Sequence, residues 1–352
     1  MDYKDCGPDA IHARIAELKK KFGSDLVILG HHYQADEIIR HVDIVGDSLE
    51  LARRIPDIEA RNIVFCGVYF MAESAALLAR PTQRVFLPDH AADCAMARMA
   101  RAADVERVLE KLAALGMKTV PLAYVNSSLA VKAVVGRFGG AVCTSSNAKT
   151  MLQWAMERGD TVLFLPDRNL GRNTARILGI PGEKQVLISA SGNDLESEAV
   201  RGAKILLWPG CCPIHESLMK PEMVDAFHSH FPGCRVLVHP ECTPDVVQRC
   251  DGAGSTAYLI REVEKAAAEG REKTLCIGTE FHLVHRLMER YAGRINIIPL
   301  AQASCSDMEK VDAPKLLAVL EHLEDGTGVV SVEEELKAPA RDAVVRMLEH
   351  CR

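Results

Sequence analysis

Three segments that lie far apart in the sequence each carry a cysteine where a predicted strand ends. Cys94, Cys212 and Cys305 each follow the last of a group of short apolar runs typical of buried strands. The chain has no C-x-x-C pair, so it does not resemble a zinc finger or ribbon, whose ligands are closely spaced. Three separate thiolates suit a 4Fe–4S cluster in which one iron has no protein ligand. The alternative is that they are core residues, since free cysteine is often buried.

The iron without a protein ligand could act as a Lewis acid, because it could bind a substrate carboxylate or hydroxyl and assist the loss of water. The other nine of the 12 cysteines are interpreted as core or terminal residues. Among them, Cys66, Cys143 and Cys276 lie in or beside apolar runs, and Cys6 and Cys351 lie near the chain ends.

Histidine, tyrosine and glutamate side chains are the candidates for proton transfer. His31 and Tyr33 follow one apolar run, and His239 and Glu241 follow another. A lone histidine at a strand end is more often structural than catalytic. Two strand ends that each carry a titratable pair are what proton transfer on a carbon skeleton requires. His215 could reach the same cavity from the start of a helix.

Hydroxyl side chains stand where three predicted helices begin. They are Ser48, Ser145, and the pair Ser255 and Thr256. The start of a helix presents free N–H groups and a partial positive charge, so a phosphate or carboxylate is stabilised there. Ordinary N-capping is the alternative for each residue taken alone. Three such positions together favour the binding of an anionic substrate.

The elements that position these residues follow a repeated pattern. Short apolar runs alternate with stretches of helical periodicity, which predicts parallel sheets covered on both faces. The pattern recurs three times, and each time it has a polar end to its first strand, a hydroxyl after its second and a cysteine after its fourth. Unit by unit, these residues are His31, Tyr33, Ser48 and Cys94; Tyr124, Asn126, Ser145 and Cys212; His239, Glu241, Ser255, Thr256 and Cys305. Three units that face one another would bring them to one central site.

The predicted fold class is α/β, with three homologous three-layer α/β/α domains that each contain a small parallel sheet. The domains are expected in a pseudo-threefold arrangement around a central iron–sulfur site. Their predicted boundaries are 1–95, 96–212 and 213–311. The helical stretches within 312–352 are expected to pack on the first domain. The apolar spacing of residues 216–231 predicts a single helix.

The composition excludes several classes of protein. The chain has 352 residues and a formal net charge of -6 without a long basic block, which argues against nucleic acid as a partner. No apolar run approaches the ~20 residues of a membrane span, so no membrane partner is expected. The segment Met1–Asp5 is polar and does not resemble a secretory signal. The thiols are therefore expected to be reduced, in a cytoplasmic protein.

Nine segments between residues 26 and 310 closely resemble the quinolinate synthase family and occur in the family's order. They are GHHYQ at 30–34, GDS at 46–48, CGVYFMAE at 66–73, AYVN at 123–126, TSSNA at 144–148, WPGCCPIH at 208–215, HPEC at 239–242, GST at 254–256 and CSDM at 305–308. Because these segments are spread over most of the chain, the resemblance is specific.

The resemblance implies a transferase of NAD biosynthesis with three homologous α/β domains around one cluster. The family condenses iminoaspartate with dihydroxyacetone phosphate to give quinolinate, with release of phosphate and water. By the matching motifs, Cys94, Cys212 and Cys305 would hold one 4Fe–4S cluster per chain, and its open iron would assist dehydration as a Lewis acid. The two substrates would be the chain's partners, and it could make transient contact with the enzyme that makes iminoaspartate.

The resemblance also implies a role for each remaining site residue. Tyr33 and Glu241 would transfer protons, while His31, His215 and His239 would orient or polarise the substrate. The residues expected to contact substrate are His31, Ser48, Tyr124, Asn126, Ser145, His239, Glu241, Ser255 and Thr256. The hydroxyls among them would receive phosphate or carboxylate groups.

The chain departs from the family's pattern, or offers a choice, at a few positions. Cys212 rather than the adjacent Cys211 is assigned as the ligand, because the family spacing is Trp-x-Gly-x-Cys-x-x-His. His32 stands where the family often has asparagine, and Asp93 precedes the first cysteine where glycine is common. Ser145 rather than the serine after it is assigned to the substrate.

Two other functions remain open. An iron–sulfur hydro-lyase could use the same open iron on a hydroxy acid, and it would not need a triose phosphate. An iron–sulfur redox sensor would not be an enzyme. Sensors normally act on a protein partner or on DNA, and this chain shows neither a basic face nor an appended binding module.

Overall fold

The computed structural model describes residues 7–270 and 274–351, in which helices and strands alternate. Cys6, interpreted above as a terminal residue, lies outside the described residues. None of the described helices has the length and apolar content that crossing a bilayer requires.

The elements fall into three successive groups and a C-terminal pair. The first group is α1 (Pro8–Phe22), β1 (Leu26–His31), α2 (Asp36–Ile39), β2 (Ile44–Gly46), α3 (Ser48–Arg54), β3 (Asn62–Cys66), α4 (Tyr69–Leu78) and β4 (Arg84–Phe86). The second is α5 (Ala102–Ala114), β5 (Thr119–Tyr124), α6 (Leu129–Arg137), β6 (Ala141–Cys143), α7 (Ala148–Met156), β7 (Thr161–Leu165), α8 (Arg168–Ile177), β8 (Gln185–Leu187), α9 (Glu198–Arg201) and β9 (Ile205–Leu207). The third is α10 (Pro213–Ser217), α11 (Pro221–His230), β10 (Arg235–Val238), α12 (Pro244–Arg249), β11 (Gly252–Ala253), α13 (Thr256–Glu269), β12 (Thr274–Gly278), α14 (Phe281–Arg290) and β13 (Asn296–Pro299). The C-terminal pair is α15 (Ala313–Glu321) and α16 (Glu334–His350).

The strands form three small sheets in which all the paired strands named above run parallel. Their strand orders are β2-β1-β3-β4, β6-β5-β7-β9-β8 and β11-β10-β12-β13. In each sheet the first strand along the chain lies between the second and the third. The chain therefore adds its second strand on one side of the first strand and its third strand on the other side, so the strand order reverses beside the first strand. Open α/β sheets bind ligands at the carboxyl end of the strands at such a reversal. The predicted α/β class, with three parallel sheets flanked by helices, is confirmed.

The central strands are buried on both faces, as their apolar sequences require. Every residue of β3 (NIVFC) and of β7 (TVLFL) is buried. In the first sheet, β1 pairs with β3 so that Gly30 lies opposite Cys66. A Cβ atom on Gly30 would lie 2.6 Å from Cγ2 of Val42, so the segment after α2 can approach the strand this closely only because residue 30 is glycine.

The described residues form two compact units, each with its own core. One unit comprises residues 7–94 and Ser304–Glu333, and in it α15 packs on α1. The other comprises Ala95–Ala303 and residues 334–351, and it contains the second and third sheets. In this second unit α16 packs on α6, and the Arg346 guanidinium donates to the carbonyl of Gly140 at 2.6 Å.

The expectation that all of 312–352 packs on the first domain is wrong for α16. Its buried face is made of small and apolar side chains, including Ala340, Ala343 and Met347. Such a face shows that a helix is packed, but it does not identify the surface that the helix covers. The domain boundaries 1–95, 96–212 and 213–311 stay a prediction.

Two local predictions also differ from the structure. Residues 216–231 form parts of two helices, α10 and α11, because Pro221 cannot continue the helix before it. The strand β8 was not predicted, since it is a three-residue edge strand that is only partly buried.

Candidate active site

The buried carboxylate of Glu241 lies at the centre of a hydrogen-bonded cluster in the second unit. Glu241 follows β10 and is 3% exposed. The Tyr124 hydroxyl donates to its Oε1 at 2.6 Å, and Nδ1 of His215 lies 2.7 Å from its Oε2. Both carboxylate oxygens thus have a partner, as burial requires. We refer to Tyr124, Cys212, His215, His239 and Glu241 as the Glu241 cluster.

His215 connects the carboxylate of this cluster to the thiol. Its Nδ1 lies 3.3 Å from Sγ of Cys212, and its Nε2 lies 3.3 Å from Oγ1 of Thr279. When Nδ1 donates to Glu241, a neutral His215 accepts at Nε2 from the Thr279 hydroxyl. The ring also stacks on that of His239, with centroids 4.8 Å apart. The imidazole of His215 is therefore held at both nitrogens and on one face.

Burial and charge set the protonation states of this cluster. Burial lowers the pKa of His239 to about 4, although the neighbouring Glu241 carboxylate opposes this effect. Burial alone would raise the pKa of Glu241, but the charges of His239 and His215 and the hydrogen bonds from His215 and Tyr124 together lower it below its usual range. At neutral pH, Glu241 is therefore a carboxylate and His239 is a neutral imidazole.

The backbone after β10 fixes the proton of His239. The amide N–H of Glu241 donates to Nδ1 of His239 at 3.4 Å, so the ring proton of the neutral imidazole is on Nε2. The N–H of His239 itself donates to the carbonyl of Gly278 in β12 at 2.9 Å. The N–H of Cys242 donates to the carbonyl of His239 at 3.0 Å and closes the turn.

Cys212 is held at the start of α10 by the segment before it. Trp208 is fully buried, and its indole N–H donates to the carbonyl of Met99 at 2.8 Å. Cys212 is the N-cap residue of α10, which begins with Pro213. A single turn of helix then brings His215 back to the Cys212 thiol. The ligand atoms of Cys212, His215 and Glu241 lie within 4.8 Å of one another, a set of sulfur, nitrogen and oxygen donors that could hold a metal ion.

Tyr124 is the last residue of β5, and the loop that follows carries Asn126. The Ser127 hydroxyl donates to the carbonyl of Tyr124 at 2.9 Å. The ammonium group of Lys132, which is fully buried, donates to the carbonyl of Ser127 at 2.6 Å. The loop is thus tied to α6, and Asn126 lies half-buried within it.

In the second unit, the predicted hydroxyl residues differ in whether they are helix N-caps. Ser255 is the N-cap of α13, and its Oγ accepts from a backbone N–H of the first turn at 3.3 Å. Thr256 is the first residue of that helix and is 3% exposed. The N-cap of α7 is Asn147, so the alternative that Ser145 is an N-cap is wrong. Ser145 is half-buried between β6 and α7.

In the first unit, His31 and Tyr33 lie at the carboxyl end of β1. The N–H of Tyr33 donates to Nδ1 of His31 at 3.1 Å, and the two rings meet edge to face with centroids 4.6 Å apart. Ser48 is the first residue of α3, but the cap is Asp47, whose carboxylate accepts from two backbone N–H groups at 2.9 Å each. The Glu50 side chain accepts from the N–H of Asp47 and completes a capping box. The N-cap alternative is therefore wrong for Ser48.

Cys94 and Cys305 belong to the same compact unit, and a lysine ties their segments together. The ammonium group of Lys310 donates to the carbonyl of Ala91 at 2.8 Å and to the carboxylate of Asp307 at 2.7 Å. Both cysteines are partly exposed.

The described cysteines fall into two groups by burial. The buried group consists of Cys66, Cys143, Cys234, Cys242 and Cys276. Burial raises the pKa of the Cys66 thiol to about 12, which keeps it protonated at neutral pH. The partly exposed group consists of Cys94, Cys211, Cys212, Cys250, Cys305 and Cys351, so it includes all three predicted cluster ligands.

Several residues around the Glu241 cluster were not identified from the sequence. Asp167 and Glu280 follow strands, and they are the N-caps of α8 and α14, respectively. Thr279 carries no distinctive signal other than its place at the end of β12. Asn169 and Asn173 lie in a helix, where asparagine does not suggest a site.

The fold and the site define an α/β protein whose titratable side chains meet at the carboxyl ends of parallel strands. The family model for NadA, the quinolinate synthetase A protein, matches residues 13–349. The chain therefore belongs to the quinolinate synthetase A family.

Proteins named quinolinate synthase are similar to the chain over nearly its whole length. The one from Acidobacterium capsulatum is 44% identical over 97% of this chain and 94% of its own. The one from Bacillus velezensis is 42% identical over 99% of this chain and 95% of its own. The one from Streptomyces coelicolor is 44% identical over 97% of this chain and 88% of its own.

Proposed function

We propose that this protein is a quinolinate synthase of NAD biosynthesis, a cytoplasmic transferase that condenses iminoaspartate with dihydroxyacetone phosphate and releases phosphate and water. The observation that carries the proposal is the Glu241 cluster, in a chain that belongs to this family. The cluster puts a charged carboxylate, a tyrosine hydroxyl, two imidazoles and a thiol together, as proton transfer next to a metal requires.

We assign Cys94, Cys212 and Cys305 as the ligands of one 4Fe–4S cluster per chain. Cluster ligands must lose their protons, and a partly exposed thiol does so more readily than a buried one. The partial exposure of these three cysteines fits this requirement, whereas the raised pKa of the Cys66 thiol does not. Cys211, Cys250 and Cys351 are also partly exposed, so the choice among the six thiols comes from the matching motifs. When bound, such a cluster supplies an open iron that acts as a Lewis acid in the loss of water.

Glu241 accepts a proton from carbon in the proposed reaction. Its carboxylate is charged at neutral pH, and Tyr124 and His215 hold both of its oxygens. A base held in this way needs little rearrangement when substrate binds. His215 also contacts the thiol of Cys212, so the base and the proposed cluster ligand are joined through one side chain.

His239 and His31 polarise the substrate as hydrogen-bond donors. In both residues Nδ1 accepts a backbone N–H, which leaves Nε2 as the protonated nitrogen of the neutral ring. An Nε2–H group can donate to a substrate carbonyl or carboxylate oxygen. Tyr33 is assigned the second proton transfer, as its motif implies.

The substrates' anionic groups are received at the strand-to-helix junctions. Ser48, Ser145, Ser255 and Thr256 are assigned to phosphate and carboxylate groups, and Tyr124 and Asn126 to further substrate contacts. Ser48 and Ser145 are not N-caps, so capping is not what these two hydroxyls do. At α7, where the N-cap makes no side-chain hydrogen bond, the backbone N–H groups of the first turn would add to the binding of anions.

The assignment is tested by measuring quinolinate and inorganic phosphate after anaerobic purification. Quinolinate that forms only when both iminoaspartate and dihydroxyacetone phosphate are present, with one phosphate released per product, supports the proposal. Formation of a dehydrated product from a hydroxy acid, without a requirement for the triose phosphate, would instead identify an iron–sulfur hydro-lyase.

A further inference from the structure

Two buried asparagines on α8 contact the backbone that carries Glu241. Asn169 and Asn173 are 2% and 3% exposed, respectively. They are four residues apart, so they lie on the same side of the helix. Neither belongs to the Glu241 cluster or to the nine segments given above.

Together the two asparagine amides cover three consecutive carbonyl groups. Asn173 donates through Nδ2 to the carbonyls of Pro240 at 2.9 Å and of Cys242 at 2.8 Å. Asn169 donates through Nδ2 to the carbonyl of Glu241 at 3.1 Å. These residues lie between β10 and α12, where no sheet or helix bond satisfies the carbonyls, and a buried carbonyl needs a donor. The asparagines therefore fix the backbone on both sides of Glu241.

The first turn of the same helix also holds the segment around Cys212. The N–H of Arg168 donates to the carbonyl of Gly210 at 2.9 Å, and its guanidinium donates to the carbonyl of Pro209 at 3.1 Å. The guanidinium also pairs with Glu216 of α10 at 2.7 Å, and the amide of Asn169 donates to the same carboxylate. α8 is thus a common support for the backbone that carries Glu241 and for the helix that carries His215.

The support is rigid because α8 lies directly on the second sheet. A Cβ atom on Gly171 would lie 2.5 Å from Cδ2 of Leu207 and 2.9 Å from Cδ1 of Phe164. The carboxylate of Asp167, fully buried, caps the helix by accepting from the N–H groups of Asn169 and Leu170 at 2.7 and 2.9 Å. The asparagines are therefore anchored to the sheet rather than to a mobile loop.

We propose that Asn169 and Asn173 are positioning residues that set the place of the Glu241 carboxylate between Tyr124 and His215. This inference rests on the proposed function, in which Glu241 is the base. A base displaced by a fraction of an ångström still lets substrate bind but accepts the substrate's proton slowly. Loss of either amide should therefore lower kcat much more than it raises KM.

The test compares Asn173→Asp and Asn169→Ala with the control Asn62→Ala. Asn173→Asp keeps the shape of the side chain and removes the N–H donors. Asn62 is also a buried asparagine, 6% exposed, whose amide donates to the carbonyl of Asp25 at 3.3 Å in the first unit. Each variant is measured by kcat and KM per folded molecule. Hydrogen exchange of the amides in 239–243 is measured separately on protein freed of metal.

We expect kcat to fall about 10- to 100-fold in the two α8 variants, with KM changed less than about threefold. Exchange in 239–243 should be about tenfold faster than in the wild type, whereas Asn62→Ala should match the wild type in both measurements. Unchanged kcat and unchanged exchange in either α8 variant would overturn the proposal. So would an equal loss of kcat in Asn62→Ala. If the wild type made no quinolinate, the proposed function would fail, and unchanged exchange would still refute the positioning role.

Discussion

The turns after β1 and β10 are built alike, although they belong to different sheets. His31 is the last residue of β1, and His239 directly follows β10. In each turn, Nδ1 of the histidine accepts the N–H of the residue two positions later, Tyr33 for His31 and Glu241 for His239. In each, the next N–H along the chain donates to the carbonyl of the histidine at 3.0 Å. The repeated turn thus fixes the tautomer of a histidine and presents a titratable side chain two residues later.

The two turns differ in what surrounds that titratable side chain. Glu241 is buried, has a partner at each oxygen and is braced by the amides of α8. Tyr33 is half-buried, and its turn is held through the side chain of Gln34, which donates to the carbonyl of Met308 at 3.1 Å. The turn therefore sets the position of the titratable side chain, while the neighbouring elements determine how deeply it is buried and which charges surround it.

The largest effect is expected from Glu241→Gln. The amide has the shape of the carboxylate but cannot accept a proton, so quinolinate formation should fall by about 10²- to 10⁴-fold with the iron content unchanged. The control is Glu264→Gln, since Glu264 also has a tyrosine partner, Tyr291, but lies on a surface helix. Full activity of Glu241→Gln in a steady-state assay would show that this turn does not present the base.

The variant Tyr33→Phe tests the corresponding position in the first unit. Loss of the hydroxyl should reduce quinolinate formation by about 10²-fold, if Tyr33 performs a proton transfer. The matched control is Tyr291→Phe, which removes a hydroxyl from the end of α14 and should leave the rate unchanged. Equal rates for the two variants would show that Tyr33 does not transfer a proton, and would leave the turn after β10 as the one that does.

The serines at the helix starts should separate binding from stability. Ser255→Ala removes an N-cap, so it should lower the free energy of unfolding by about 1 kcal/mol, whereas Ser48→Ala should not, because Asp47 caps α3. Both variants should raise KM for dihydroxyacetone phosphate or iminoaspartate. Urea unfolding and steady-state kinetics measure the two effects. A loss of stability in Ser48→Ala with unchanged KM would show that Ser48 stabilises the fold and does not bind the substrate.

The smallest effect concerns a second buried histidine with a low pKa, His41 of the first unit. Burial lowers the pKa of His41 to about 4, and the charges of His12, Arg40 and Lys19 add to this effect, whereas Glu241 opposes it for His239. The imidazole of His41 takes up a proton near pH 6.5 in the unfolded chain, but only near pH 4 in the folded state. Stability is therefore full above pH 6.5 and is lost as the pH falls toward 4. The two pKa values correspond to about 2 kcal/mol between pH 7 and 5, and screening by solvent reduces this loss to about 1 kcal/mol.

The variant His41→Asn cannot titrate in this range, so part of this pH dependence should disappear. Urea midpoints at pH 7 and pH 5 for the variant and the wild type measure the difference. The same loss of stability in both proteins would mean that His41 does not contribute.

Much of the fold could be predicted from the sequence, because short apolar strands that alternate with helices leave few arrangements. The three sheets follow from the repeated pattern. The partner of α16 could not be predicted, since the apolar face formed by residues such as Ala343 and Met347 does not specify which surface it covers. The break at Pro221 could have been predicted from the proline itself.

The residues of the Glu241 cluster could be predicted from the sequence, but the residues that hold the cluster in place could not. His239 and Glu241 stand at a strand end, where a titratable pair is conspicuous. Asn169 and Asn173 act through hydrogen bonds to a backbone about 70 residues away in sequence, and only the structure shows them. Similarly, only the structure shows which serine is an N-cap.

The adjacent thiols Cys211 and Cys212 lie in different surroundings. Cys212 contacts His215, whereas Cys211 lies beside the guanidinium of Arg168; burial raises the pKa of the Cys211 thiol, and Arg168 only partly offsets this. We propose that Cys212, and not Cys211, binds the iron–sulfur cluster beside the Glu241 cluster.

The decisive measurement is the iron and acid-labile sulfide content of anaerobically purified wild type, Cys211→Ala and Cys212→Ala. We predict about four irons per chain in the wild type and in Cys211→Ala, and almost none in Cys212→Ala. Cys94→Ala and Cys305→Ala should resemble Cys212→Ala. Iron retained in Cys212→Ala and lost in Cys211→Ala would contradict the claim, as would a wild-type protein that contains zinc or no metal.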